Sequence, residues 1–200
     1  MTGIEQKAVE VEGIFADLQQ HISSFSQESG IGCKAACGAC CKKPDVEATA
    51  LEFLPLAISL YKRGLLDSFL EKLDRKTDDP TCILFTQGLK PTQGFCSEYP
   101  YRGMICRLFG YSSRLDKYSN PVMVTCRIIK EEFPEEYGRA MDMLRQSPES
   151  VPAIRNYSMR LANIDSNLSK TYYPINEAIK LALEAVGWYF DYHSQEDPAA

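Results

Sequence analysis

Residues 33–41 read Cys33-Lys34-Ala35-Ala36-Cys37-Gly38-Ala39-Cys40-Cys41, four thiols in the spacing C-x3-C-x2-C-C. A single cysteine is ordinarily a small buried hydrophobe. A run this dense is not, and its small residues, Ala35, Ala36, Gly38 and Ala39, leave the backbone free to fold around an ion. Four more cysteines follow, Cys82, Cys96, Cys106 and Cys126, at gaps that suit loops rather than one helix face. Stability does not call for them, because a chain of 200 residues buries roughly 70% of its unfolded surface without staples. The hydrophobic (44%) and charged (24%) fractions are those of an ordinary globular protein and exclude collagen-like, low-complexity and largely disordered classes.

The compartment decides what the thiols are for. No basic segment leads into an apolar stretch at the N-terminus, so a secretory signal is not expected. The most apolar windows, 51–61 and 178–190, are too short to span a bilayer and carry Glu52, Pro55, Lys180 and Glu184. A cytoplasmic protein with no membrane partner is the expectation. Thiols stay reduced there, so a cysteine cluster binds metal or does chemistry rather than forming disulfides.

Outside the cysteines the pattern is helical. Val11, Ile14, Phe15, Leu18, Ile22 and Phe25 recur at helical spacing and predict a helix over 4–26, ended by Gly30 and Gly32. Thr49 and Glu52 have capping-box spacing ahead of Leu51, Leu54, Ile58 and Tyr61, with Pro55 expected to bend that helix and Gly64 to stop it. Leu66, Phe69, Leu70 and Leu73 predict a short third helix. Residues 74–127, with Pro80, Pro91, Pro100 and Pro121, read as loops with one short hairpin turning near Tyr118–Pro121. Pro134, Pro152 and Pro174 stand where first helical turns would begin. Ile175, Ile179, Ala182 and Val186 stripe the last helix, and the tail beyond Tyr192 reads as frayed. The expected fold is a single domain over 1–200, mainly α, with an irregular, cysteine-rich, metal-stabilised centre at about 33–126. Loops that long need something to order them.

Zinc, copper(I) and iron–sulfur centres all accept thiolates. With two histidines in the chain, an all-sulfur site is implied, drawing on Cys33, Cys37, Cys40, Cys41, Cys82, Cys96, Cys106 and Cys126. Structural zinc usually takes two close pairs. Here the downstream half supplies none, and adjacent Cys40 and Cys41 sit awkwardly on one tetrahedral ion. Iron–sulfur is therefore preferred, with zinc the alternative. Residues 31–43 carry +3 and residues 101–130 carry +5, against −5 for the whole chain. Nearby cations lower thiol pKa and stabilise an anionic metal–thiolate centre. The overall acidity argues against a nucleic-acid partner.

At Cys33–Cys41, and again at Cys96-Ser97-Glu98-Tyr99-Pro100-Tyr101-Arg102-Gly103-Met104-Ile105-Cys106-Arg107, the sequence resembles the YkgJ-like cysteine-cluster family, described as zinc- or iron-chelating. Its pattern is C-x3-C-x2-C-C, a cysteine followed by apolar residues, then C-x-x-Y-x-x-R-P-x-x-C-R. Cys82-Ile83-Leu84-Phe85 matches the middle element, and Cys126 stands for a trailing cysteine. The family's proline is Gly103 here, which puts the rigidity of that turn in doubt. Tyr99, Arg102 and Arg107 are then candidates to support the ligands and donate to the sulfurs. Flagellin lysine N-methylases carry a similar cysteine domain, so the resemblance also implies an S-adenosylmethionine-dependent methylase as an alternative. About 74 residues follow Cys126, too few for the substrate domain a methylase needs, which favours a metal-binding protein in redox or metal handling. A third reading is an interaction module in which zinc fixes a basic surface.

Other signals carry less. The C-x3-C-x2-C spacing also belongs to radical S-adenosylmethionine enzymes, but Ala39 stands where an aromatic is usual and no strand–helix alternation suggests a barrel. Ser59 and Lys62 match a short nucleophile pattern by chance. His21 and His193 have no evident partner, so a cysteine–histidine nucleophile is not expected. Glu131, Glu132, Glu135 and Glu136 read as a solvated face.

Overall fold

The computed structural model describes residues 3–76, 79–90 and 93–194. Helix α1 runs Ile4–Ser29, three residues beyond the expected end at 26, and buries Val11, Ile14, Phe15, Leu18, Ile22 and Phe25 on one side. It closes at Gly30, whose N–H returns to the Ser26 carbonyl at 2.9 Å. A two-residue strand, β1 (Glu47–Ala48), leads into the 3-10 turn Ala50–Phe53, which Thr49 and Glu52 cap reciprocally as their spacing predicts. Helix α2 begins only at Leu54 and runs to Lys62, so Pro55 sits in its first turn. The helix expected from Thr49 is thus divided into a 3-10 turn and α2, and Pro55 stands where its missing N–H has no helical partner anyway. Helix α3 spans Leu66–Arg75.

The middle of the chain holds two hairpins rather than one. Strands β2 (Phe85–Gln87) and β3 (Gly94–Cys96) pair antiparallel with Phe85 opposite Cys96. Helix α4 (Met104–Leu108) follows, then β4 (Ser112–Leu115) and β5 (Pro121–Val124), also antiparallel. The β4–β5 turn falls where the sequence placed it. Asp116 Oδ1 accepts from the amides of Tyr118 and Asn120 at 2.8 and 2.9 Å, which closes the loop locally. The first hairpin escaped prediction because strands of three residues are too short to show alternation. Pro91 lies outside the described residues.

The C-terminal third is helical: α5 (Arg127–Glu132), α6 (Pro134–Gln146), α7 (Ile154–Ile164), the single turn α8 (Ser166–Ser169) and α9 (Ile175–Ser194). Pro134 opens α6 as expected. Pro152 does not open α7. It stays extended, and its carbonyl accepts from Ser113 N at 2.8 Å. Pro174 belongs to a strand, β6 (Tyr173–Pro174), which pairs antiparallel with β1 and delivers the chain to α9. The frayed tail expected beyond Tyr192 falls largely on residues 195–200, outside the described residues.

Two apolar cores result. The main one joins α1, α2 and α9, where Leu18, Leu56, Ala57, Leu60, Ile179 and Val186 have no exposed surface. The second packs Phe25 and Ile31 against Ile129, Ala140, Leu144 and Val151. The cysteine-rich middle lies between them. Among the described residues no helix is long and apolar enough to cross a membrane.

Candidate metal centre

The cysteine run is shaped by two residues in the left-handed region, Ala36 (φ 53°) and Gly38 (φ 60°), which fold it back before the 3-10 turn Ala39–Lys42 that carries Cys40 and Cys41. Gly38 is required twice over. Its φ disfavours a side chain, and a Cβ would come 2.6 Å from Phe85 Cε2. The run docks on the first hairpin through Gly94, whose N–H donates to the Ala36 carbonyl at 2.9 Å. A Cβ at Gly94 would lie 2.1 Å from the Phe85 ring. We expect Gly94→Ala to destabilise the protein by about 1–3 kcal/mol, an overpacking cost, and to detach the run from the hairpin. Chemical denaturation, with thiol accessibility at Cys37 and Cys40, measures both.

The other cysteines arrive on separate supports. Cys82 N donates to Cys41 O at 2.8 Å. Its loop is clamped from the start of α9, where Asn176 accepts from Ile83 N (2.8 Å) and donates to Thr81 O (3.0 Å). Cys96 is in β3, opposite Phe85. Cys106 rides on α4, whose first amide, Met104 N, donates to the buried Glu52 carboxylate at 2.7 Å. Cys126 caps α5, its Sγ accepting from Ile129 N at 3.4 Å. Cys33 is the exposed member, and its N–H donates to the Tyr111 hydroxyl at 2.7 Å.

All eight thiols are free, and all eight border one cavity of about 950 Å³. Tyr99, Arg102 and Arg107 border it as well. Among the described residues its wall carries five cations, Lys34, Lys43, Arg102, Arg107 and Arg127, and no histidine, aspartate or glutamate. The only strong metal donors among these residues are therefore sulfur. Among the described residues no three cysteine, histidine or carboxylate side chains converge closely enough to hold an ion. The thiols thus share a chamber without being drawn together. Burial favours the protonated form of four of them: it pushes Cys33 and Cys82 up to about 11, and Cys96 and Cys106 in the same direction. Cys40 moves the other way. It is lowered by a hydrogen bond from the Cys41 thiol, with the Arg102 guanidinium adding to the effect, and Cys41 is raised as the donor. A soft, sulfur-rich chamber with one favoured thiolate and fixed cations suits a thiophilic ion.

Arg102 is the cation best placed for this, since its charge also favours the thiolates of Cys33 and Cys96. Its guanidinium stacks 3.6 Å from the Tyr99 ring centroid and donates to Tyr99 O at 3.2 Å. Arg107 acts on the backbone instead. It donates to the carbonyls of Pro100 and Arg102, bracing the turn between Cys96 and Cys106. The doubt about that turn is answered by Gly103. Its φ of −61° is close to the value a proline ring imposes, about −65°, and the Phe53 ring occupies the space beside it, 2.8 Å from where a Cβ would stand.

One expectation is extended and one needs correction. The glutamates after Cys126 do form a solvated face, with Glu131, Glu132 and Glu135 exposed, and on it Glu132 pairs with Lys34 at 2.8 Å and Glu131 with Arg127 at 3.5 Å. They offset part of the local positive charge and tie α5 to the cysteine run. His21 is partnered, Nδ1 to the Tyr157 hydroxyl (3.0 Å) and Nε2 to Ser150 O (3.2 Å), so it joins α1 to α7 and leaves no ring nitrogen for a cysteine. Glu52, Tyr111 and Asn176 were not anticipated as supports of the site. The capping box marked Glu52 only as a local feature, and no nearby motif marks the other two.

A family model described as "putative zinc- or iron-chelating domain", CxxCxxCC, matches residues 32–133, just over half of the chain. The chain belongs to this family. The match begins one residue before Cys33 and ends just after α5, so it encloses all eight cysteines and both hairpins. The family's label writes two residues between its first two cysteines, and this member has three. No curated protein and no solved structure matches the chain. Metal binding is the property that membership supports.

Proposed function

We propose that this protein chelates metal through cysteine sulfur alone, as an iron–sulfur centre in preference to zinc, and serves redox chemistry or metal handling. The observation that carries the reading is the cavity wall: among the described residues it holds eight thiols and five cations with no competing imidazole or carboxylate. Donor chemistry of this kind fits zinc, copper(I) or iron–sulfur and excludes the harder ions that carboxylates hold. Eight thiols also exceed the four that one structural zinc takes, which favours a cluster or more than one centre. Cys33, Cys37, Cys40, Cys41, Cys82, Cys96, Cys106 and Cys126 would be the ligands, with Arg102 balancing the thiolate charge and Arg107 and Glu52 holding the ligand-bearing segments. An iron–sulfur centre would supply one-electron chemistry; zinc would supply order alone. We assign the chain to one domain and to the cytoplasm, where free thiols persist.

Anaerobic purification followed by metal and acid-labile sulfide analysis tests this. A brown protein with iron and sulfide in near-equal amounts is expected. A colourless protein with bound zinc would keep chelation and remove the preference for iron–sulfur. Absence of metal, with every thiol reacting freely while the fold persists, would overturn the reading.

A further inference from the structure

Of the five cations on the cavity wall, three have a carboxylate partner outside it. Lys34 pairs with Glu132 at 2.8 Å, Lys43 with Asp45 at 3.6 Å and Arg127 with Glu131 at 3.5 Å. Arg102 and Arg107 have none among the described residues. Both are half-buried, and both are held in place. Arg107 donates to two carbonyls and stands 4.7 Å from the Phe15 ring centroid of α1. Arg102 is pinned by the Tyr99 ring and by the bond from its Nε to Tyr99 O. Its two terminal amino groups, Nη1 and Nη2, have no hydrogen-bond partner among the described residues. A lysine would balance thiolate charge as well. What a lysine lacks is a planar fork, the shape that matches two oxygens of one carboxylate or phosphate. The cavity also has a side without thiols. There α1 contributes Gln19, Ser23, Ser26 and Gln27, three and four residues apart and so on one helix face. The Ser26 hydroxyl is engaged by the Ile31 carbonyl, whereas the Gln27 amide has no partner among the described residues. Neutral amides and hydroxyls neither ligate a soft ion nor balance its charge; they hydrogen-bond an organic molecule. The volume of about 950 Å³ lies at the upper end of the roughly 300–1,000 Å³ of small-molecule sites.

We propose that the cavity binds a small organic anion beside the metal centre, its carboxylate or phosphate gripped by the Arg102 fork and its body lying along the α1 face of Gln19, Ser23 and Gln27. The site shares the cavity of the chelation reading but takes none of its sulfur ligands, so the two stand or fall separately. Arg107 adds a second positive charge beside the fork, and it is already held by the backbone, so little side-chain entropy is lost when the anion arrives. Phe53 and Phe109 add apolar wall for a carbon skeleton. The anion headgroup is the recognised feature, and a neutral molecule of the same shape has nothing to offer the fork.

The test uses the full-length, anaerobically purified protein at fixed ionic strength. Calorimetric titration with succinate, phenyl phosphate and the neutral succinamide reads binding, and metal content is measured alongside. Succinate or phenyl phosphate should bind saturably and succinamide should not; the tighter of the two anions identifies the headgroup as carboxylate or phosphate. Arg102→Lys keeps the charge and removes the fork, so it should weaken the anion by roughly tenfold or more while bound metal stays unchanged. On the unmutated protein, phenylglyoxal modification mapped by mass spectrometry gives a second readout: the bound anion should shield Arg102 and leave the exposed Arg155 reactive. Equal behaviour of the anions and succinamide, unweakened binding in Arg102→Lys, or modification of Arg102 that the anion does not slow would overturn the proposal. Loss of metal in Arg102→Lys would do so too, by placing that arginine in service of the metal centre alone. A preparation without metal that still binds the anion through Arg102 would bring down the chelation reading and leave this one standing.

Discussion

Replacing Cys106 with serine removes bound metal and loosens the chain between Cys82 and Cys126. The reason lies in how little else orders that stretch. Among the described residues its regular structure consists of two hairpins with strands of three and four residues, a three-residue 3-10 turn and one five-residue helix. A two-stranded hairpin is marginal alone. Bound thiophilic metal contributes on the order of 10 kcal/mol to small metal-dependent folds. Cys106 sits where the main core, α4 and the run meet, and burial holds its free thiol protonated, so a serine there gains little in the metal-free state. Hydrogen exchange across residues 82–90 and 93–126 should accelerate by about 100-fold or more, while α1, α2 and α9 keep their protection. Metal content measured alongside should fall. Unchanged metal and unchanged exchange would remove Cys106 from the ligand set.

Glu52→Ala should be the most damaging substitution away from the cysteines. Glu52 is 1% exposed, and its carboxylate accepts from Thr49 N at 2.9 Å, Thr49 Oγ1 at 3.1 Å and Met104 N at 2.7 Å. Truncation leaves three buried donors without a partner, at about 1–3 kcal/mol each. The expected loss is therefore about 3 kcal/mol or more, a large part of the roughly 5–15 kcal/mol typical of a domain. Because Met104 opens the helix carrying Cys106, thiol protection at Cys106 should weaken in parallel. The pH dependence has a definite sign. Burial raises the Glu52 pKa above its ordinary 4.5, with the hydrogen bonds opposing this. A raised carboxylate pKa means the native state binds the proton more tightly than the unfolded chain. This contribution is thus fully present at pH below 4.5 and is lost as pH rises through the folded-state value. The alanine variant should lack that slope. Urea titrations of both proteins across this range measure the loss and the slope together.

The helices were legible because periodicity survives without tertiary context: the stripe from Val11 to Phe25 locates α1, and Thr49 with Glu52 marks its own capping box. The cysteine run was legible because its density has no other economical explanation, and the β4–β5 turn because Asp116 to Asn120 closes on local bonds. What failed depended on distance in sequence. Glu52 holds Met104, 52 residues away, and Asn176 clamps Ile83 across 93. His21 meets Tyr157 across 136 positions. No local pattern encodes such partners. The glutamates after Cys126 are solvated as their charge suggested, but the Lys34–Glu132 pair spans 98 residues and forms only once the chain has folded. That all eight thiols border one cavity emerges only from the packing.

The central claim is that metal is held here by cysteine sulfur and nothing else. X-ray absorption at the edge of whichever metal co-purifies with the anaerobically prepared protein reads the first coordination shell directly. The account predicts a shell of sulfur at about 2.3 Å, with no nitrogen or oxygen contribution. A shell containing imidazole nitrogen or carboxylate oxygen, or a preparation with no metal to measure, would contradict it.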